Sequence, residues 1–411
     1  MSKPMGPIPA DFAVDGTTLK VGGQPVDALI AAAGGTPLFV YDLDIVADRI
    51  ARFRQVMPAS VQLHYAVKAN PYPGLLKFIA KSVDGMDVAS EGEMRTAFDA
   101  GMSAAMLSFA GPGKRDEELA AAIASGVTLN CESEGEAARA LVIAEKLGIS
   151  PRIAVRINPD FEIRGSGMRM GGGARPFGVD VDRVPALIRT LVDGGADWRG
   201  FHIFAGSQAL DAQALIEAQL ATIALAARLA EAVGEPPSLV NLGGGFGIPY
   251  FAGEQPLDVM VVGNALGEAL DRRAKILAPS RFAIELGRWL VGECGVYLTR
   301  IVDRKPSHGK TFLITDGGMH HQLAASGNFG QVVRRNFAVA IASRWDAPAT
   351  GEASIVGCLC TPLDRLADDV MLPPAEPGDI VAVFAAGAYG LTASPQAFLG
   401  HPRAREMTIK K

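Results

Sequence analysis

Two hydrophobic patterns alternate along most of the chain. Short apolar, β-prone runs recur at residues 63–67, 85–89, 105–109, 127–131, 152–157, 200–205, 239–242 and 282–286. Between them lie segments 74–82, 91–100, 114–125, 134–147, 181–194, 212–233 and 258–277. These are rich in Ala, Leu, Glu and Arg and have helix length. Eight strands separated by helices over about 220 residues predict an α/β fold, a (β/α)8 barrel of the TIM type. An open doubly wound sheet gives the same alternation, but the count of eight favours the barrel. Residues 37–42 read as a strand and 44–56 as a helix. Residues 1–36 form a lead-in with turns at Asp15-Gly16 and Gly22-Gly23. After Arg288 the rhythm changes to β runs at 295–303, 311–316, 354–358 and 379–385. The expected division is a barrel over 37–287 and a β-rich domain made of 288–411 and 1–36.

Composition narrows the class. With 411 residues, 49% of them hydrophobic and 20% charged, the chain has the make-up of a two-domain soluble globular protein. A formal net charge of −5 and the lack of a Lys/Arg block argue against nucleic acid. The N-terminal stretch lacks the apolar core of a signal peptide, and no run is long enough for a membrane helix. Cys131, Cys294, Cys358 and Cys360 match neither a disulfide framework nor a zinc site. The expectation is a cytoplasmic enzyme.

In a barrel, chemistry gathers at the C-terminal ends of the strands. Those ends carry Lys68, Asp87 with Ser90, Glu132, Arg156, His202, the glycine turn 243–247, and Glu285 with Arg288. Each has a bland explanation, such as a snorkelling lysine or a satisfied core histidine. Together they describe a site for an anionic, phosphate-bearing cofactor. Lys68 ends an apolar run, where desolvation makes an amine nucleophilic. Asn241-Leu-Gly-Gly-Gly-Phe-Gly247 follows a strand and lets backbone N–H groups approach a phosphate. No helix opens promptly after it, so it departs from a dinucleotide fingerprint. Glu285 ends a strand and either pairs with Arg288 or holds a proton on a heterocyclic nitrogen. Asp316-Gly-Gly-Met-His320-His321 is a poor metal motif, because neighbouring histidines on a strand point apart. Cys360 and Asp364 mark either a plain turn or an exposed thiol and carboxylate. Gly309-Lys310-Thr311 lacks the first glycine of a P-loop.

The ordered set of motifs resembles the fold-type III pyridoxal phosphate decarboxylases, which include diaminopimelate and ornithine decarboxylases. The matching segments are Tyr65-Ala-Val-Lys-Ala-Asn70, Asp87-Val-Ala-Ser90 with Glu93, Arg156-Ile-Asn-Pro159, Phe177-Gly178, His202 with Gly206-Ser-Gln208, Gly243-Gly-Gly-Phe246, Glu285-x-Gly-Arg288, Cys360 with Asp364, and Gly387-Ala-Tyr389. They span nearly the whole chain. The resemblance implies an alanine racemase-like barrel with a C-terminal β-rich domain, a homodimer with shared active sites, and a carboxy-lyase activity. It assigns Lys68 to the Schiff base with pyridoxal 5'-phosphate and His202 to stacking on the ring. Glu285 holds the pyridinium proton, and Asp87 and Arg156 support the cofactor. Ser207, Gly244, Gly245, Phe246, Arg288 and Tyr389 take the phosphate or its surroundings. Cys360, from the partner subunit, is the proton donor.

The departures concern substrate. Thr361 stands where the diamino-acid branches carry an acidic residue, and no arginine stands near Ala324-Ala325 to grip a distal carboxylate. A lost polar anchor discriminates strongly. Met168-Arg-Met-Gly-Gly-Gly173 and Cys360-Thr-Pro-Leu-Asp364 resemble the branch whose members take carrier-linked amino acids or belong to exosortase gene clusters. The expected substrate is a small-molecule or carrier-protein-linked amino acid extended at its side-chain end. Arg288, Thr361 and Asp364 are the candidate substrate contacts, and the basic loop with Arg164, Arg169 and Arg175 would meet the carrier. The alternatives are an ordinary diaminopimelate or other diamino-acid decarboxylase, a racemase, a non-catalytic regulatory protein that binds the cofactor, and a nicotinamide dehydrogenase.

Overall fold

A computed structural model of the chain describes residues 2–12, 16–163, 165, 167–169 and 171–411, with backbone alone at Met168 and Arg169. Asp15, of the expected first turn, lies outside the described residues. The fold has two compact units: residues 50–247 with 256–287, and residues 1–49 with 248–255 and 288–411.

The first unit is a closed barrel of eight parallel strands: β1 (Val61–Ala66), β2 (Gly85–Val88), β3 (Leu107–Phe109), β4 (Thr128–Cys131), β5 (Arg152–Asn158), β6 (Asp197–Ile203), β7 (Leu239–Asn241) and β8 (Arg281–Leu286). Sequential strands pair from β1 round to β8. Pairing of Leu286 with Tyr65 brings the last strand back to the first. All eight match the apolar runs of the sequence.

The register explains how the site residues gather. Asp87 lies opposite Ala66, Ser108 opposite Asp87, His202 opposite Arg156 and Asn241 opposite His202. Helices follow the strands, and their starts are written in the sequence. Ser90 accepts the Glu93 N–H at the head of α1 (Glu91–Asp99). Ser133 accepts the Glu136 N–H at the head of α2 (Glu134–Leu147). Both are Ser-Glu-Gly-Glu sequences, the spacing of a capping box. Asp211 and Asp258 cap α3 (Ala212–Val233) and α4 (Val259–Asp271) in the same way.

The second unit is built on the long strand Gly295–Ser307. It pairs antiparallel with Leu38–Asp42, Lys310–Thr315 and Ile380–Val383. Gly351–Val356, Arg365–Leu372, Val339–Ile341 and Arg405–Ile409 extend the sheet. Phe39, Tyr41, Tyr297 and Phe384 are fully buried in it.

The strand 37–42, expected to open the barrel domain, belongs to this β-rich unit. It lies between Gly295–Leu298 and Arg405–Ile409, so its partners are remote in sequence. Residues 248–255 join the same unit. Tyr250 and Phe251 pack on Phe337, with ring centroids 4.8 and 5.6 Å apart, and Glu254 pairs with Arg335 at 3.1 Å. The lead-in also contains a helix, Val26–Ala33, that its turn-like sequence did not announce. No helix among the described residues is long and apolar enough to cross a membrane.

Candidate active site

The C-terminal mouth of the barrel collects charged groups into one network, in which Glu285, His202, Arg156 and Glu132 are buried and the Lys68 side chain is half-exposed. Lys68 lies on a single 3-10 turn directly after β1. Its Nζ stands 3.9 Å from Glu285 Oε1 and 5.2 Å above the ring of Phe204. Glu285, 6% exposed, ends β8 and receives His202 Nε2 on its other oxygen at 3.0 Å. Burial alone would raise this carboxyl. The His202 hydrogen bond and the charges of Lys68, His202 and Arg156 overcome it and hold the group at about 2. Glu285 is therefore a buried carboxylate that stays ionised. His202 Nδ1 is buried with no hydrogen-bond partner among the described residues.

Flanking pairs fix this centre. Arg156 donates to Glu132 at 2.8 Å and stacks 5.0 Å from Phe177. Glu132 also accepts the N–H groups of Gly111 and Gly178, so one carboxylate ties three strand-end segments together. Asp87 accepts the Ser108 hydroxyl, and its other oxygen is 3.5 Å from His64 Nδ1. Glu93 is raised by burial, against the Ala89 N–H and the nearby Lys68 charge.

The glycine turn is clasped between β8 and the segment after β6. Gly243 O accepts the Glu285 N–H, and Gly245 O accepts the Ala209 N–H, both at 2.8 Å. A Cβ at Gly244 would collide with the Glu285 carbonyl oxygen. At Gly245, where φ is +89°, it would come 2.7 Å from Gly206 O. Neither the Gly244 nor the Gly245 N–H donates to a described residue. Phe246 bridges to Ala209, and Ser207 pairs through its backbone with Met168. Gln208, next to Ser207, holds a left-handed φ of +63°, a strained conformation for that residue. The turn can therefore approach an anion closely, backbone first.

The remaining candidates lie in the β-rich unit. Arg288 donates to the Tyr250 hydroxyl at 3.1 Å and stacks 4.6 Å from the Tyr389 ring; its Nε has no partner among the described residues. Tyr389 itself has φ +53°. Cys360 is exposed and unpaired, whereas Cys358 is half-buried against His401 and the Asp316 carbonyl. Thr361 Oγ1 accepts the Leu363 N–H at 3.4 Å.

Asp364 does not fit the expected substrate contact. It is 2% exposed, and its two oxygens accept the Met319 and Leu359 N–H groups at 2.6 and 2.8 Å. It staples the Asp316–Gln322 turn to the 357–364 loop. His320 and His321 also depart from expectation. They lie in a turn, not a strand, and their rings are 3.7 Å apart. Of the basic loop, Arg164 and the Arg169 side chain lie outside the described residues, and Arg175 is exposed. Phe204, His64 and Tyr250 were not among the expected site residues. An aromatic two residues beyond His202 was the visible signal for the first; apolar context hid the other two.

A family profile described as "pyridoxal-dependent decarboxylase, pyridoxal binding domain" matches residues 43–292. The chain belongs to this family. It is 38% identical to the L-glutamyl-[BtrI acyl-carrier protein] decarboxylase of Niallia circulans, over 89% of this chain and 87% of that one. It is 31% identical to the diaminopimelate decarboxylase of Archaeoglobus fulgidus, over 97% and 93%. The crystal structure of the Helicobacter pylori diaminopimelate decarboxylase with L-lysine superposes with a TM-score of 0.82 at 26% identity, covering 94% of each chain.

The protein is thus a pyridoxal phosphate-dependent decarboxylase, with the barrel and β-rich sheet of its relatives. The barrel mouth fits that cofactor chemically: an amine, an ionised buried carboxylate able to hold a ring nitrogen's proton, and a backbone cradle for a phosphate.

Proposed function

We propose that the substrate is an amino acid extended at its side-chain end, of the kind presented on a carrier protein. The observation that carries this reading is Thr361 in place of an acidic anchor, joined to Ala324 and Ala325 where an arginine would grip a distal carboxylate. The carrier-linked specificity of the Niallia enzyme supports it. Diaminopimelate is the second reading, favoured by the Archaeoglobus enzyme.

The bound cofactor supplies an electron sink for the electron pair left on the α-carbon when CO2 departs. In this reading Lys68 carries the cofactor, its amine held over the Phe204 ring and beside Glu285. Glu285 keeps a ring nitrogen protonated; His202 orients Glu285 and lies against the ring. Asp87 and Arg156 hold the surrounding segments. The backbone of Gly244, Gly245 and Phe246, with Ser207, binds the phosphate. Arg288 and Tyr389 serve the same anion, consistent with the unpartnered Arg288 Nε. Cys360 of a second copy returns the proton, which makes the working form a homodimer. Its exposure on one chain is what such a role requires. Four unpaired cysteines fit a reducing cytoplasm.

The test measures CO2 release from the reconstituted enzyme with free diaminopimelate, lysine, ornithine, arginine and glutamate, and with a glutamyl-carrier conjugate. Turnover of the conjugate far above every free amino acid is expected. Faster turnover of free diaminopimelate would overturn the extended-substrate reading. Lys68→Ala should lose both the borohydride-sensitive visible band of the bound cofactor and CO2 release.

A further inference from the structure

A second constellation lies at the other end of the same barrel, the N-terminal mouth. Arg152 and Arg281 are the first residues of β5 and β8, and Arg199 sits near the start of β6. All three line one cavity of about 70 Å³, together with Gln62, Asn130 and His64. The cations are poorly compensated. Among the described residues Arg152 donates only to the neutral carbonyls of Gly126 and Ala105, at 3.0 and 3.3 Å. Arg199 pairs with Asp197 at 3.2 Å. The Arg281 guanidinium has no partner among the described residues. Three positive charges therefore face one carboxylate. Burial first, then the charges of Arg199 and Arg281, pull Arg152 below the ordinary guanidinium value, and Asp197 opposes them. The inner wall is polar as well. His64 is 5% exposed, its Nε2 lies 3.3 Å from Gln62 Oε1, and its Nδ1 faces the Asp87 carboxylate at 3.5 Å, on the side away from the arginines.

We propose that this cavity is a binding site for one small tetrahedral oxyanion of the phosphate class, separate from the cofactor site. An oxyanion there relieves the repulsion among the three guanidinium groups and accepts their forked N–H donors. The Asn130 amide, one N–H of which is donated to Ser108 at 3.1 Å, has a second N–H as a neutral donor. The volume admits one such ion or a few waters, and excludes a nucleotide or a second cofactor molecule. The occupant is either the free ion or the terminal phosphate of a small ester whose remainder stays outside.

The experiment uses holoenzyme, so that the cofactor's own phosphate site is filled. Inorganic phosphate is titrated calorimetrically at constant ionic strength, with chloride as the control ion. One saturable site per chain is expected, with the visible cofactor band unchanged. Arg199→Gln and Arg281→Gln should each bind phosphate about tenfold more weakly, the loss of one charge-assisted contact. Arg281→Gln removes an exposed, unpartnered side chain, so its melting temperature in chloride should match wild type and exclude misfolding as the cause. Glycerol phosphate is the second probe: equal binding upholds the site as one for an ester, and failure to bind upholds it as one for the free ion. Absence of saturable binding, equal affinity in both variants and wild type, or displacement of the cofactor band by phosphate would overturn the proposal.

Discussion

Glu285 shows how a single position acquires its chemistry. In the sequence it is a carboxylate ending an apolar strand, able to pair with Arg288 three residues on. In the structure it faces His202 at 3.0 Å and Lys68 at 3.9 Å. The positive neighbours outweigh the desolvation that burial imposes, so it stays charged. Glu285→Gln should keep the shape, remove the charge, and lower kcat by about 10²-fold or more, as removal of a preorganised electrostatic partner does. Steady-state CO2 assays of cofactor-loaded protein check this.

His321 is the converse case. Burial and the adjacent His320 hold its imidazole down to about 4. Its Nε2 sits 2.9 Å from the Pro402 carbonyl, which can only accept, so that nitrogen carries the hydrogen. A histidine kept neutral when folded binds its proton more readily when unfolded. Stability therefore rises with pH between about 4 and 6.5, and falls by about 3 kcal/mol as pH drops through that window. Chemical denaturation across this range should show the slope, and His321→Gln should flatten it.

Among the elements, the glycine turn 243–247 and the Ser-Glu-Gly-Glu helix starts were both legible in the sequence, for different reasons. A capping box is a local arrangement whose partners are three residues apart, so spacing alone reveals it. Ser133→Ala should cost about 1 kcal/mol, read as a lower melting temperature without loss of cofactor. The turn's composition was visible, but not why two successive glycines are obligatory. That follows from the close approach of the Glu285 carbonyl to Gly244 and of Gly206 O to Gly245. Gly244→Ala should destabilise by about 1–3 kcal/mol through overpacking, and should weaken cofactor binding in an absorbance titration. Asp364 was misread because it looked like an exposed turn residue, and the His320-His321 pair because it was taken to lie on a strand. Their burial comes from the meeting of two turns far apart in sequence.

For the molecule as a whole, the homodimer proposed above, with Cys360 completing the partner's site, makes a sharp prediction. Lys68→Ala and Cys360→Ala proteins, each nearly inactive, are mixed and allowed to exchange subunits. Half of the resulting symmetric dimers are hybrids, and each hybrid has one intact site, so about a quarter of wild-type activity should return. Failure to recover activity, with subunit exchange shown by differently tagged chains, would mean that each site is completed within one chain.

Local pattern was enough for the eight barrel strands, the helix starts and the polar residues at the strand ends. These depend on periodicity and on side chains within a few residues of each other, and a linear chain reports them faithfully. Other features exist only once the chain has folded. The strand Leu38–Asp42 pairs with Gly295–Leu298 and Arg405–Ile409, and Glu132 ties three segments. Asp364 becomes an internal staple, and three arginines from β5, β6 and β8 come to face one cavity. Each of these is a meeting of residues remote along the chain. Charge state, burial and hydrogen-bond satisfaction are properties of such meetings, and no single stretch of sequence contains them.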